Sequence, residues 1–154
     1  MRIGVLALQG DFAAHASALA RAGAEPREVR RADELAPLDG LIIPGGESTT
    51  LINLLRAFGL WEPVRAFAAG GLPVLGTCAG LILLAEEVTS PAQESFGLLP
   101  LRVARNAYGR QVDSFVSRGL VHAPADLAGA GGRAFETDFV FIRAPRITEL
   151  RDGI

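Results

Sequence analysis

Cysteine and histidine are scarce. The 154 residues hold one Cys, Cys78, and two His, His15 and His122. A lone thiol cannot close an internal disulfide, which excludes the stapled framework of a small secreted domain. So few His and Cys give no basis for a His/Cys metal cluster, and no metal is expected. An excess of charge is also missing. Lys and Arg number 15 against 17 Asp and Glu, for a formal net charge of -2, so no electrostatic footprint points to nucleic acid or to an anionic membrane. No stretch reaches the ~18 consecutive apolar residues of a membrane span. Met1–Gln9 passes straight from a short apolar run into Gly10-Asp11, without a signal-peptide core or a small-x-small cleavage site. The expected location is the cytoplasm.

What is present suits a packed domain. Hydrophobic residues make up 49% and charged residues 21%, which excludes disorder, and the length suits one domain. Arg2–Leu8 reads as a buried parallel strand, Phe12–Ala22 as a helix with Phe12, Ala16, Leu19 and Ala20 on one face, and Glu28–Arg30 as a short edge strand. Leu41–Ile43 is a second buried strand. It leads through Pro44-Gly45-Gly46 into a helix capped by Ser48 or Thr49 and striped by Leu51, Leu54, Leu55 and Phe58. A helix over Trp61–Ala69, a strand over Pro73–Leu75, the turn Gly76–Gly80 and a helix over Leu81–Val88 follow. Alternation of strand, glycine turn and helix predicts an α/β fold with a mostly parallel sheet flanked by helices in three layers. The second half predicts strands at Leu98–Ala104, Gln111–Val116 and Asp138–Ile142, with a surface loop at 123–132, as an antiparallel extension of the sheet or a flap against it.

Cys78 lies in Gly-x-Cys-x-Gly, directly after an apolar strand and before a helix. That is the pattern of a nucleophile elbow, where flanking glycines relieve a sharp turn and the side chain is held at the carboxyl edge of the sheet. The alternative is a buried Cys packed as a small hydrophobe. Pro44–Thr50 (PGGESTT) also joins a strand to a helix. Its glycines permit close approach of a ligand to backbone N–H groups, and Glu47 could bind an amino group. An ordinary βα turn is the competing reading. The phosphate-loop and dinucleotide glycine patterns are both absent. Gln9-Gly10-Asp11 closes the first strand, so Gln9, Gly45/Gly46 and Cys78 share one sheet edge and can surround one cleft. Arg105 and Arg143 could each clamp a carboxylate, or serve as structural ion-pair residues. A thiol nucleophile needs a base, and His15 and His122 read as structural or surface residues rather than as that base.

In order along the chain, Val5–Asp11 (VLALQGD), Leu41–Thr50 (LIIPGGESTT), Gly76–Leu84 (GTCAGLILL), Arg105–Gln111 (RNAYGRQ) and Val140–Pro145 (VFIRAP) resemble the glutaminase subunits of pyridoxal 5'-phosphate synthase, within the class I (triad) glutamine amidotransferases. The resemblance implies a flavodoxin-like sheet and no cofactor. It implies that Cys78 attacks the side-chain amide of L-glutamine, that N–H groups of Gly46 and Ala79 form the oxyanion hole, and that Gly46, Glu47, Ser48, Arg105, Ile142 and Arg143 hold the glutamine. It places Gln9 and Gly10 at the contact with a larger (β/α)8-barrel synthase subunit, which receives the ammonia within a large hetero-oligomer. The family's catalytic His and Glu lie in a late FHPE-like motif that these residues do not contain. The expectation is therefore a single glutaminase domain, 1–154, incomplete at its C-terminus. The competing reading is a non-catalytic docking or regulatory partner of the synthase subunit. Other proteins with a Cys elbow often carry His after the nucleophile, where this sequence has Ala79.

Overall fold

The computed structural model describes residues 1–109, 111–122 and 134–151. In chain order these form β1 (Arg2–Leu6), α1 (Phe12–Arg21), β2 (Glu25–Val29), β3 (Gly40–Ile43), α2 (Ser48–Ala57), α3 (Trp61–Ala69), β4 (Val74–Gly76), α4 (Ala79–Leu84), β5 (Ala85–Thr89), β6 (Leu99–Ala104), β7 (Phe115–His122), β8 (Ala134–Phe141) and β9 (Arg146–Leu150). Single 3-10 turns stand at Ala32–Glu34 and Gln111–Asp113. The chain divides into two compact units, 1–105 with 145–154, and 106–144.

The first unit is built on a four-stranded parallel sheet in the order β2-β1-β3-β4. Strand alternation divides its side chains between two faces. On β3, Leu41 and Ile43 enter a core with Leu6, Leu51, Leu55, Leu60, Val64 and Leu83, while Gly40 and Ile42 line an apolar groove with Ile3, Leu75 and Leu19 of α1. The edge strand β2 begins earlier than the apolar pattern predicts, and only Val29 of it is buried. In α2 the predicted stripe is shifted: Leu51, Ile52 and Leu55 are buried and Phe58 is exposed.

The helix predicted over Leu81–Val88 ends at Leu84. The chain turns into β5, which pairs in parallel with β6. Packing decides this. Ala85 and Val88 complete a second core with Ile82, Leu101 and Val103, a placement that outweighs local helix propensity. β9 pairs antiparallel with β6, so an antiparallel strand does extend this part of the fold. Arg151 reinforces the join, reaching Glu86 and Glu87 of β5 and Glu149 of β9.

The second unit is an antiparallel hairpin of β7 and β8, in register from Phe115↔Phe141 to His122↔Ala134. The predicted strand at Gln111–Val116 is instead a 3-10 turn followed by β7. Tyr108, Phe115 and Phe141 form its aromatic cluster, with Phe115 and Phe141 stacked at 4.7 Å. The predicted loop at 123–132 lies outside the described residues.

Candidate active site

The carboxyl ends of β1, β3 and β4 meet as the strand order requires. Thr77, just past β4, donates its N–H to the Ile43 carbonyl at the end of β3 (3.1 Å). A Cβ on Gly45 would stand 3.3 Å from Cys78 Cβ, and one on Gly10 would stand 1.9 Å from the Gly45 carbonyl oxygen. Gly10 is therefore required by close backbone approach, and the turns after β1, β3 and β4 are packed against one another.

Cys78 sits at the entry to α4 with φ 49° and ψ -101°. Side chains rarely adopt this left-handed backbone region, and such strain persists only where the surroundings over-determine it. The tethers are local: Gly80 N–H donates to the Thr77 carbonyl (2.8 Å) and Ile82 N–H to the Cys78 carbonyl (3.1 Å). Cys78 is half-buried and unpaired as a disulfide. Ala79 is fully buried behind it.

Glu47, rather than Ser48 or Thr49, caps α2. Its carboxylate accepts from the N–H groups of Thr49 (3.1 Å) and Thr50 (2.7 Å) and from the Thr50 hydroxyl. Burial pushes the Glu47 carboxyl up, but the hydrogen bonds from Thr50 and Thr49 together outweigh it and hold the group below the ordinary carboxylate value. Arg105, just past β6, donates to the same carboxylate at 3.1 Å and to the Thr49 hydroxyl at 3.3 Å. The predicted carboxylate clamp thus holds a carboxylate of its own chain here. Gly46 has φ +140°, and a Cβ there would collide with the Gln9 amide at 2.7 Å. Gln9 Nε2 donates to the Glu47 carbonyl at 2.9 Å, so this side chain lies across the Gly46–Glu47 segment.

Ser48 is buried, and its hydroxyl donates to Gln93 Oε1 at 2.9 Å. That hydroxyl is committed to the fold, which leaves the Ser48 backbone as the part able to meet a ligand. Ile142 and Arg143 belong to the second unit, where Arg143, with φ 47°, donates to Asn106 Oδ1 at 3.4 Å. Gln9, Gly10, Gly46, Glu47, Ser48, Cys78, Ala79 and Arg105 are all in the first unit. Arg110, within the RNAYGRQ stretch, lies outside the described residues. Sequence reasoning missed Gln93, which carries no local signal. It also missed the contact of His15 Nε2 with Thr77 Oγ1 at 3.3 Å, for which the only hint was the position of His15 one turn into α1. Among the described residues, no group of His, Cys, Asp and Glu could hold a metal ion, and no helix is long and apolar enough to cross a membrane.

The SNO glutamine amidotransferase family matches residues 5–154. "Pyridoxal 5'-phosphate synthase subunit PdxT" of Acidothermus cellulolyticus is 55% identical over 150 residues, covering 96% of this chain and 69% of that protein. The protein of the same name from Solibacter usitatus is 52% identical, covering 99% and 78%. A solved structure described as a glutamine amidotransferase superposes with a TM-score of 0.81 at 45% identity, over 98% of this chain and 76% of that one. A chain of PurLQS from Thermotoga maritima, at 20% identity and a TM-score of 0.70 over 98% and 70%, shares the fold. The chain belongs to the SNO glutamine amidotransferase family.

Proposed function

We propose that this chain is the glutaminase subunit of a pyridoxal 5'-phosphate synthase, releasing ammonia from L-glutamine for a synthase subunit in the cytoplasm. The observation that carries this reading is the strained Cys78 elbow, packed against the glycine turn at Gly45 and Gly46. The relatives named as synthase subunits support the pathway.

Cys78 Sγ attacks the side-chain amide carbon as a thiolate. The carbonyl oxygen gathers negative charge and is stabilised by the N–H groups of Gly46 and Ala79. The proton given up by the thiol is delivered to the amide nitrogen, so collapse expels neutral ammonia and leaves a γ-glutamyl thioester. Water then cleaves the thioester to glutamate and returns the thiol. Glu47 and Arg105 hold the polar end of glutamine, together with the Ser48 backbone. Both side chains are already ordered by the α2 cap and by their mutual ion pair, so little conformational entropy is left to lose on binding. Ile142 and Arg143 carry the same expectation from the family resemblance alone. Gln9 and Gly10 form the contact with the synthase subunit, a (β/α)8 barrel within a large hetero-oligomer. No residue of this sequence is assigned as the base.

The test mixes the chain with the synthase subunit and adds a chloroketone analogue of glutamine. The thiolate displaces chloride and leaves a thioether, read by intact mass and peptide mapping. One adduct at Cys78 is expected, competed by glutamine and lost in Cys78→Ala, together with Cys78-dependent release of glutamate. Complex formation without label or release favours a docking subunit that does not hydrolyse glutamine. Glutamate release unchanged by Cys78→Ala overturns the nucleophile assignment.

A further inference from the structure

His15 is absorbed neither by the core nor by the proposed chemistry, yet its ring reaches the residue preceding the nucleophile. The Thr77 hydroxyl and His15 Nε2 share a hydrogen bond of 3.3 Å, in which the ring's tautomer sets which group donates. Thr77 occupies a critical place. Its N–H is fixed to Ile43 at the end of β3 and its carbonyl to Gly80 in α4, and the next residue is Cys78 in its strained left-handed conformation. These backbone bonds hold the two peptide groups of Thr77 but not its side chain.

The hydroxyl also faces the glycine turn. A Cβ on Gly45 would have Thr77 Oγ1 at 3.9 Å, beside Cys78 Cβ at 3.3 Å. His15 itself is held by the first turn of α1, where its N–H donates to the Asp11 carbonyl (3.4 Å) and the Asp11 side chain caps the helix. The Thr77 side chain is therefore pinned between a helix anchored after β1 and the turn after β3. That constraint selects one rotamer for the side chain that stands beside Cys78 Cβ.

We propose that His15 is a positioning residue for Cys78, acting through the Thr77 hydroxyl, an inference that rests on Cys78 being the nucleophile. Its loss leaves the elbow formed but lets the Thr77 hydroxyl turn about χ1 in the space it shares with Cys78 Cβ against Gly45, so Sγ spends less time aligned with the carbon it attacks. An orientation effect of this kind lowers the rate of the bond-forming step rather than the affinity for the ligand.

The experiment is saturation kinetics of Cys78 alkylation by the glutamine chloroketone, in the same mixture with the synthase subunit. His15→Ala is expected to lower the maximal alkylation rate by roughly fivefold, the fold-change of one net hydrogen bond, with half-saturation changed less than about twofold. Thr77→Val, nearly isosteric but without the hydroxyl, is expected to give the same loss. His15→Ala placed on Thr77→Val is expected to add nothing further. His15→Gln, whose amide extends to about the reach of Nε2, recovers most of the rate, and the shorter His15→Asn does not.

Losses that multiply in the double variant overturn the proposal, as does an unchanged rate in Thr77→Val, whatever His15→Ala does to folding. A drop of equal size with His15→Gln makes His15 a packing residue and also overturns it. A parent chain that takes no label at Cys78 overturns the nucleophile reading itself, and the role of His15 with it.

Discussion

Glu47 shows how one side chain serves both the fold and the site. Its carboxylate satisfies N–H groups of the first turn of α2, which have no partner within the helix, and it pairs with Arg105. Its carboxyl is held below the ordinary value of 4.5, so the charged form is favoured by folding. The resulting stability is fully present above about pH 4.5 and is lost as pH falls through the lowered value. The Glu47 side chain is 55% exposed, so solvent screening keeps the contribution near the low end for a cap, about 0.5–1 kcal/mol. Glu47→Gln should therefore melt roughly 2 °C below the parent at neutral pH, and the gap should close in acid. A gap that persists below pH 3 would mean that the charge is not what stabilises the cap. The cap was not legible in the sequence because Ser48 and Thr49 are the usual capping residues. It took the Gly45-Gly46 turn to place an acid one position earlier.

Elements were read most accurately where local pattern and packing agree. The apolar runs at β1, β3 and β4, each followed by glycine, identify the parallel strands and the edge on which the site lies, because both signals are contiguous in sequence. The continuation of α4 was misread because Leu81–Val88 suits a helix in isolation. What ends it is burial of Ala85 and Val88 beside Leu101 and Val103, supplied by strands that come later in the chain. Val88 is buried while Glu86, two residues before it on the same strand, is exposed. Val88→Ala should cost roughly 1.5–3 kcal/mol in urea unfolding. Glu86→Ala gives up only an exposed ion pair to Arg151 and should cost less than about 0.5 kcal/mol. Equal costs would contradict the burial of Val88 beside Leu101 and Val103. Contacts such as Ser48 with Gln93 and Thr77 with His15 join residues 45 and 62 positions apart. No periodicity in the sequence encodes such pairs, so they became visible only in the folded chain.

At the scale of the molecule, the parallel sheet of the first unit has unequal faces. One carries α2, α3 and α4 over a closed core in which Leu55 is 0% exposed. The other presents a groove of about 360 Å³, lined by Ile3, Ile42, Pro73 and Leu75 beside Leu19 and Ala22 of α1, where Leu75 remains 54% exposed. Burial rather than residue type sets the stabilisation each Leu supplies. Leu55→Ala removes fully buried methyl groups and leaves a cavity, for an expected loss of about 2–5 kcal/mol. Leu75→Ala removes atoms already half in water, for an expected loss below about 1 kcal/mol. Urea unfolding of the two variants measures the difference, and similar losses would show that the groove side is packed as closely as the core. The nucleophile stands apart from this contrast. Cys78 is held at the strand ends by Thr77, Gly80 and Ile82, none of which lines the groove. Leu75→Ala should therefore leave the alkylation rate of Cys78 within about twofold of the parent, as expected for a substitution with no shared contacts. A larger change would mean that the open face and the catalytic edge move together.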